Sequence, residues 1–186
     1  MVLKPDDYDF GNAENYSFVN KITCNNDETR KVFILAYGHM LNYNHEEAIA
    51  CFQRCTELDP NCAMAWWGIA YCLSSNYNWT PGLGSGHDPI QKAVSLKDNC
   101  TELEQDLIDA LSKRHSAEAR DSADPTVLNM GNSPELNIAF ADAMGPLYNK
   151  YKGNLDVTAI YVEALMNLKA WQLWDKNTKT GEITPA

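Results

Sequence analysis

The sequence predicts an all-α protein assembled from helical hairpins, and three observations predict it. Apolar residues recur at helical spacing through most of residues 28–171, the breaks between them are short and polar, and residues 34 positions apart play matching parts. With 186 residues, 45% of them hydrophobic and 22% charged, the chain can build a real core and has the composition of an ordinary folded domain.

Residues 1–27 carry Gly, Asn and Asp without period and read as an irregular lead-in. From Glu28 onward Val32, Leu35, Ala36 and Met40 fall near helical spacing, and the run stops at Asn42-Tyr43-Asn44. Ala48, Ile49, Phe52, Cys55 and Leu58 form a second stripe, closed by Asp59-Pro60, because proline cannot continue a helix. The stretch CAMAWWGIAYCLSS predicts a third helix, and turns this short make consecutive helices antiparallel neighbours. Residues 77–89, YNWTPGLGSGHDP, are too rich in Gly and Pro for helix and predict a long loop. IQKAVSL reads as the end of a helix. Thr101 and Glu104 form a capping box that opens another, running to about His115, with Leu103, Leu107, Ile108 and Leu111 on one face. A second long loop is predicted over 116–132. Ser133-Pro134-Glu135 then starts a last helical pair, about 134–151 and 154–171, and residues 175–186 form a polar tail.

The spacing of particular side chains is more specific. Ala48, Phe52 and Pro60 match the second half of a tetratricopeptide unit, and Trp66 with Ile69 and Ala70 matches the first half of the next. Trp66 lies 34 positions after Val32, which holds the same place in the first unit. Met144, Gly145, Tyr148, Tyr161 and Ala164 repeat the spacing in weaker form. The sequence therefore resembles the tetratricopeptide repeat family, most clearly over residues 29–76. It also resembles a narrower group of longer members carrying an NHEEA turn, here Asn44–Ala48, a WGIAY segment, Trp67–Tyr71, and an NYN segment, Asn76–Asn78. The resemblance implies a right-handed helical-hairpin solenoid of about three degenerate units over residues 28–174, interrupted by two long loops. It also allows the chain to be the first part of a longer array, since solenoids need polar terminal caps.

The formal charge of −10 argues against nucleic acid and against an anionic membrane surface as partners. No apolar run approaches the roughly 18–20 residues that span a bilayer. The polar, acidic start MVLKPDDYDF is not a secretory signal, so the sequons at Asn15, Asn78 and Asn99 read as chance matches. The six cysteines lack CxxC spacing, which reads as free thiols in a reduced, cytoplasmic chain.

Each candidate site also has a structural task. In the NHEEA turn Asn44 is a favoured N-cap, Glu46 and Glu47 complement the helix dipole, and His45 stands where the repeat carries a packing aromatic. The functional alternative is a metal held by His39, His45 and Glu46, or an accessory catalytic role for His45. HEEAI is not HExxH, because Ile49 replaces the second histidine. Cys51 and Cys55 share a helix face, but Cys55 takes the place of a small core residue. His87 and His115 have no nucleophile or orienting acid beside them in sequence, and TPGLGSGHDP lacks the P-loop lysine, so neither a triad nor a phosphate cradle is expected. In tetratricopeptide arrays the first helix of each pair lines a concave groove, and this register assigns Phe33, Tyr37, Met40, Trp67 and Tyr71 to it. The family's carboxylate clamp uses Lys and Asn where Phe33, Tyr37 and Gly68 stand, which argues against binding of chaperone C-terminal tails. An apolar groove suits a hydrophobic peptide or amphipathic helix of a protein partner, or packing of the chain's own later segments. The expected function is a non-enzymatic adaptor or scaffold, with no cofactor.

Overall fold

The computed structural model describes residues 21–78, 83–115, 133–177 and 179–185. Among them lie seven α-helices: α1 Asp27–Leu41, α2 His45–Leu58, α3 Ala63–Leu73, α4 His87–Leu96, α5 Glu102–Ser112, α6 Pro134–Lys150 and α7 Leu155–Met166. An antiparallel hairpin of β1 Trp174–Lys176 and β2 Ile183–Pro185 follows. The protein is mostly helical, as the apolar period predicts. The lead-in over 1–20 and the loop expected over 116–132 lie outside the described residues.

Each helix packs against the next, and α3 also packs against α1 and α5. The composition of α3 requires this: nine of its eleven residues are buried, and a helix apolar on every side must be enclosed on every side. Close approach depends on small residues. Ala36, Ala48 and Ala70 are fully buried, and a Cβ on Gly68 would stand 2.4 Å from the Phe52 ring. Residues 34 apart occupy matching places: Phe33 and Trp67, Ala36 and Ala70, and Tyr37 and Tyr71 are all buried. The pair Val32 and Trp66 differs. Val32 is buried, whereas the larger indole of Trp66 is partly exposed and donates to the Pro60 carbonyl at 3.1 Å.

The helix ends show which local signals decide. Helix α1 closes in a Schellman arrangement, with Tyr43 N–H on the Met40 carbonyl at 3.1 Å and Asn44 N–H on that of His39 at 3.0 Å. Tyr43 takes the left-handed position there, with φ 60°. The expected side-chain cap of α2 is not formed: Asn44, at φ −85° and ψ 63°, lies outside the extended conformation that a capping side chain needs. The capping box of α5 is formed, and the buried Glu104 carboxylate also accepts from Thr23 N–H and Oγ1, both at 2.7 Å. Buried Asp59 accepts from Asn25 N–H at 2.7 Å and Nδ2 at 2.8 Å, so the segment before α1 is clasped at two points.

Two expectations are corrected. The Gly/Pro-rich loop stops short of Pro89, because α4 already begins at His87. Pro89 is its third residue, where a missing N–H costs no intrahelical bond. The end of the chain, read as a polar tail, contains β2 and most of β1. The turn between the strands closes with Asn177 N–H on the Glu182 carbonyl at 2.8 Å and Gly181 at φ 75°.

Alanine at Gly68 would gain about 1 kcal/mol of helix propensity. It would also drive a methyl into a buried ring, an overpacking cost of about 1–3 kcal/mol. Gly68→Ala is therefore expected to lower the urea midpoint, with a net loss of stability of about 1 kcal/mol and at most about 2. An unchanged midpoint would show that Phe52 yields.

Candidate functional site

The structure brings the five groove residues together, but inside the molecule. Phe33, Tyr37, Met40, Trp67 and Tyr71 are each no more than 2% exposed. Phe33 packs edge-on against Phe52 with ring centroids 5.3 Å apart, Trp67 lies 5.2 Å from Tyr71, and Tyr71 lies 6.5 Å from Phe140 of α6. The Trp67 indole donates to the Leu107 carbonyl of α5 at 3.1 Å, and the Tyr71 hydroxyl donates to the Glu163 carboxylate of α7. An open aromatic groove is thus corrected to a covered one, filled by the chain's own later helices. The driving force is removal of large apolar side chains from water.

The alternative metal set of His39, His45 and Glu46 is not assembled. His39 and His45 are buried, whereas Glu46 is exposed. Among the described residues no group of three or more His, Cys, Asp or Glu side chains is arranged to hold a metal ion.

His45 belongs to a different constellation. It is 4% exposed, and its Nδ1 lies 3.1 Å from the Cys72 carbonyl and 3.2 Å from Asn76 Nδ2. Its ring also interacts with the Met40 carbonyl, while Oε1 of Glu163 and both amide atoms of Asn167 are buried without a hydrogen-bond partner. Asn167 follows Glu163 by one helical turn, so the two share a face. Burial holds His45 neutral by pushing its pKa down, against an opposing pull from the nearby Glu163 charge. Burial, reinforced by Glu163 and then Tyr77, pushes the Tyr43 hydroxyl up to about 12. The Tyr43 ring stacks on His45 at 6.0 Å, and Tyr77 stacks on Trp171 at 5.3 Å. Buried Arg114 donates through Nε to Asn137 at 2.9 Å and through Nη2 to the Ser75 carbonyl at 2.7 Å, and covers the Phe140 ring.

This cluster is expensive. Each buried polar atom left unpaired costs about 1–3 kcal/mol. Tyr43 and Trp171, at φ 60° and 63°, are the non-glycine residues with positive φ among those described, a conformation costing about 1–2 kcal/mol each. Tyr43 stacks on His45, so one of the two strained residues adjoins this cluster. The sequence carried a faint signal for it: Glu163 and Asn167 interrupt the apolar run LDVTAIYVEALMNL one turn apart. Arg114 carried none.

Two other groups are closer than their sequence positions suggest. Ser74 Oγ lies 3.2 Å from His115 Nε2, and the charge of His87 also reaches His115. This is no catalytic dyad. The Ser74 hydroxyl donates to the Ala70 carbonyl at 3.0 Å, and burial, with Arg114 and His87, pushes His115 down to about 3, too weak a base for general-base work near neutral pH. Burial likewise raises the thiols of Cys55 and Cys62, the latter to about 12, which leaves them protonated and poorly nucleophilic.

A second feature is apolar. On α7 Leu155, Val162 and Leu165 are 75%, 47% and 43% exposed, and Leu168 just beyond the helix is exposed as well. A hollow of about 460 Å³ opens into it, lined by Val162, Leu165, Met166, Leu168, Lys169 and Leu173.

Comparison with protein-family models, curated proteins and solved structures gives no match for this chain. No described helix is long and apolar enough to cross a membrane.

His115 links stability to pH. Its folded pKa of about 3 lies below the roughly 6.5 of an unfolded histidine. The unfolded state therefore binds the extra proton between these values, and stability present above pH ~6.5 is lost as pH falls toward 3, by up to ~1.4 kcal/mol per unit. His115→Gln is expected to flatten melting temperature against pH between 6.5 and 4 relative to wild type. Parallel profiles would overturn the assignment.

Proposed function

We propose that the protein is a non-enzymatic interaction module of tetratricopeptide type, a right-handed stack of helical hairpins that takes an amphipathic helix on the apolar face of α7. The stacked-hairpin reading is supported by the 34-residue equivalence of Phe33 with Trp67 and of Tyr37 with Tyr71, and by the packing of α3 on α1 and α5. The binding reading rests on one observation: Leu155, Val162 and Leu165 lie on one side of α7, beside a hollow of about 460 Å³, and stay exposed. A helix presenting apolar side chains at i, i+3 or i+4, and i+7 matches such a surface. The first helix of a further hairpin in the same kind of array would match it equally. A cytoplasmic setting belongs to this proposal, since six unpaired cysteines suit a reducing compartment.

Peptides of that pattern should bind saturably in isothermal titration calorimetry. Scrambled peptides of equal composition should not. The double variant Val162→Glu, Leu165→Glu is expected to weaken binding at least about tenfold, ~1.4 kcal/mol. Raising salt should change affinity little, because the lining carries a single charge, Lys169. Loss of binding in moderate salt, or indifference to the double variant, would sink the reading. Self-association removed by the same variant would identify a second copy as the source of the helix.

A further inference from the structure

The hollow at the end of α7, about 460 Å³, falls within the range of roughly 300–1,000 Å³ that small-ligand sites occupy. Val162, Leu165 and Met166 from the last turns of the helix line it, together with Leu168, Lys169 and Leu173 from the segment that follows. Five of these six residues are apolar, and no carboxylate is among them. Water there finds few hydrogen-bonding partners, so an alkyl chain entering the hollow removes apolar surface from solvent on both sides of the contact. Lys169 decides what the other end of such a chain carries. It lines the hollow and is itself exposed, the arrangement of a side chain that lays its methylene stem on apolar surface and keeps its ammonium in water. Lys97 is paired with Asp109, and Lys150 with Glu102 and Asp106. Lys169 has no ion pair among the described residues. A lone cation at the rim of an apolar hollow is complementary to an amphiphile with one negative charge at the end of an alkyl chain. The chain's charge of −10 opposes an anion only at long range, which physiological salt screens beyond about 8 Å.

We infer that this hollow binds a free alkyl carboxylate of the fatty-acid class, its chain among Val162, Leu165, Met166 and Leu173 and its carboxylate at Lys169. The site shares the α7 face with the proposed partner helix but does not rest on that reading, and the two ligands compete where both bind. A lysine just past a helix C-terminus also complements the helix dipole. That role is indifferent to a ligand's head group, so a comparison of head groups separates the two.

The probes are hexanoate, octanoate and decanoate, each kept below its micellar concentration and titrated into the full chain. The readout is the isotope-labelled methyl resonance of Met166, identified by its disappearance in Met166→Leu. Each probe should shift that resonance saturably, and affinity should rise about two- to fourfold per added methylene, the upper figure corresponding to complete burial of each CH₂. Lys169→Met should weaken octanoate about two- to fivefold, the worth of an exposed ion pair, and leave octanol at least as tightly bound as in wild type. Lys169→Arg should retain the octanoate affinity. Shifts that never saturate, affinity independent of chain length, or octanoate binding unmoved by Lys169→Met would overturn the inference, as would equal losses for octanoate and octanol. Failure of octanoate while the helical peptide binds removes this inference alone. Binding of octanoate while the peptide fails supports it and removes the helix reading alone.

Discussion

Enclosure of α3 is the constraint on which the rest of the architecture depends. A helix carrying Met64, Trp67, Ile69, Tyr71 and Cys72 among alanines and a glycine has no face to show to water. It must be covered by α1 and α2 on one side and by α4 and α5 on the other, and α6 and α7 must close over Tyr71. The same requirement explains why the aromatic face does not remain a groove. Its large rings become the axis of the core, and polar groups that reach this axis, such as Arg114 and Glu163, must be satisfied by side chains from distant helices.

Much of this was legible in the sequence. The limits of α1, α2, α3 and α5, the capping box at Thr101 and Glu104, the interior place of Cys55 and the equivalence of Phe33 with Trp67 all follow from short-range pattern. What was not legible is long-range. The Tyr71–Glu163 bond joins residues 92 apart, and no local spacing announces it. Period assigns a residue to a helix face, but it does not say whether later helices will cover that face: the sequence is compatible with an open groove and with one packed by the chain's own later segments, and the burial of these residues fits the second. The terminal hairpin was missed for the opposite reason: its strands are three residues long and fully exposed, with little apolar alternation to mark them.

The two features singled out for function differ in physical character and are separable. One is an apolar face near the end of the described helices, whose burial would be driven by the hydrophobic effect and is indifferent to ionic strength. The other is an interior polar cluster linking the start of α2, the segment after α3 and the end of α7. Its residues come from the first and last described hairpins.

The clasp of Thr23 on Glu104 has a further bearing on how the molecule comes apart. In an ideal array each hairpin meets only its neighbours, so unfolding fronts can start at an end and travel unit by unit. Here a charged hydrogen bond spans 81 positions, from the chain before the first hairpin to a cap in the middle of the molecule. Fraying of the leading segment therefore withdraws a partner from the buried Glu104 carboxylate, and loosening α5 releases the leading segment in turn. The bond thus couples the two regions, and the topology is less that of a zipper than of a closed ring.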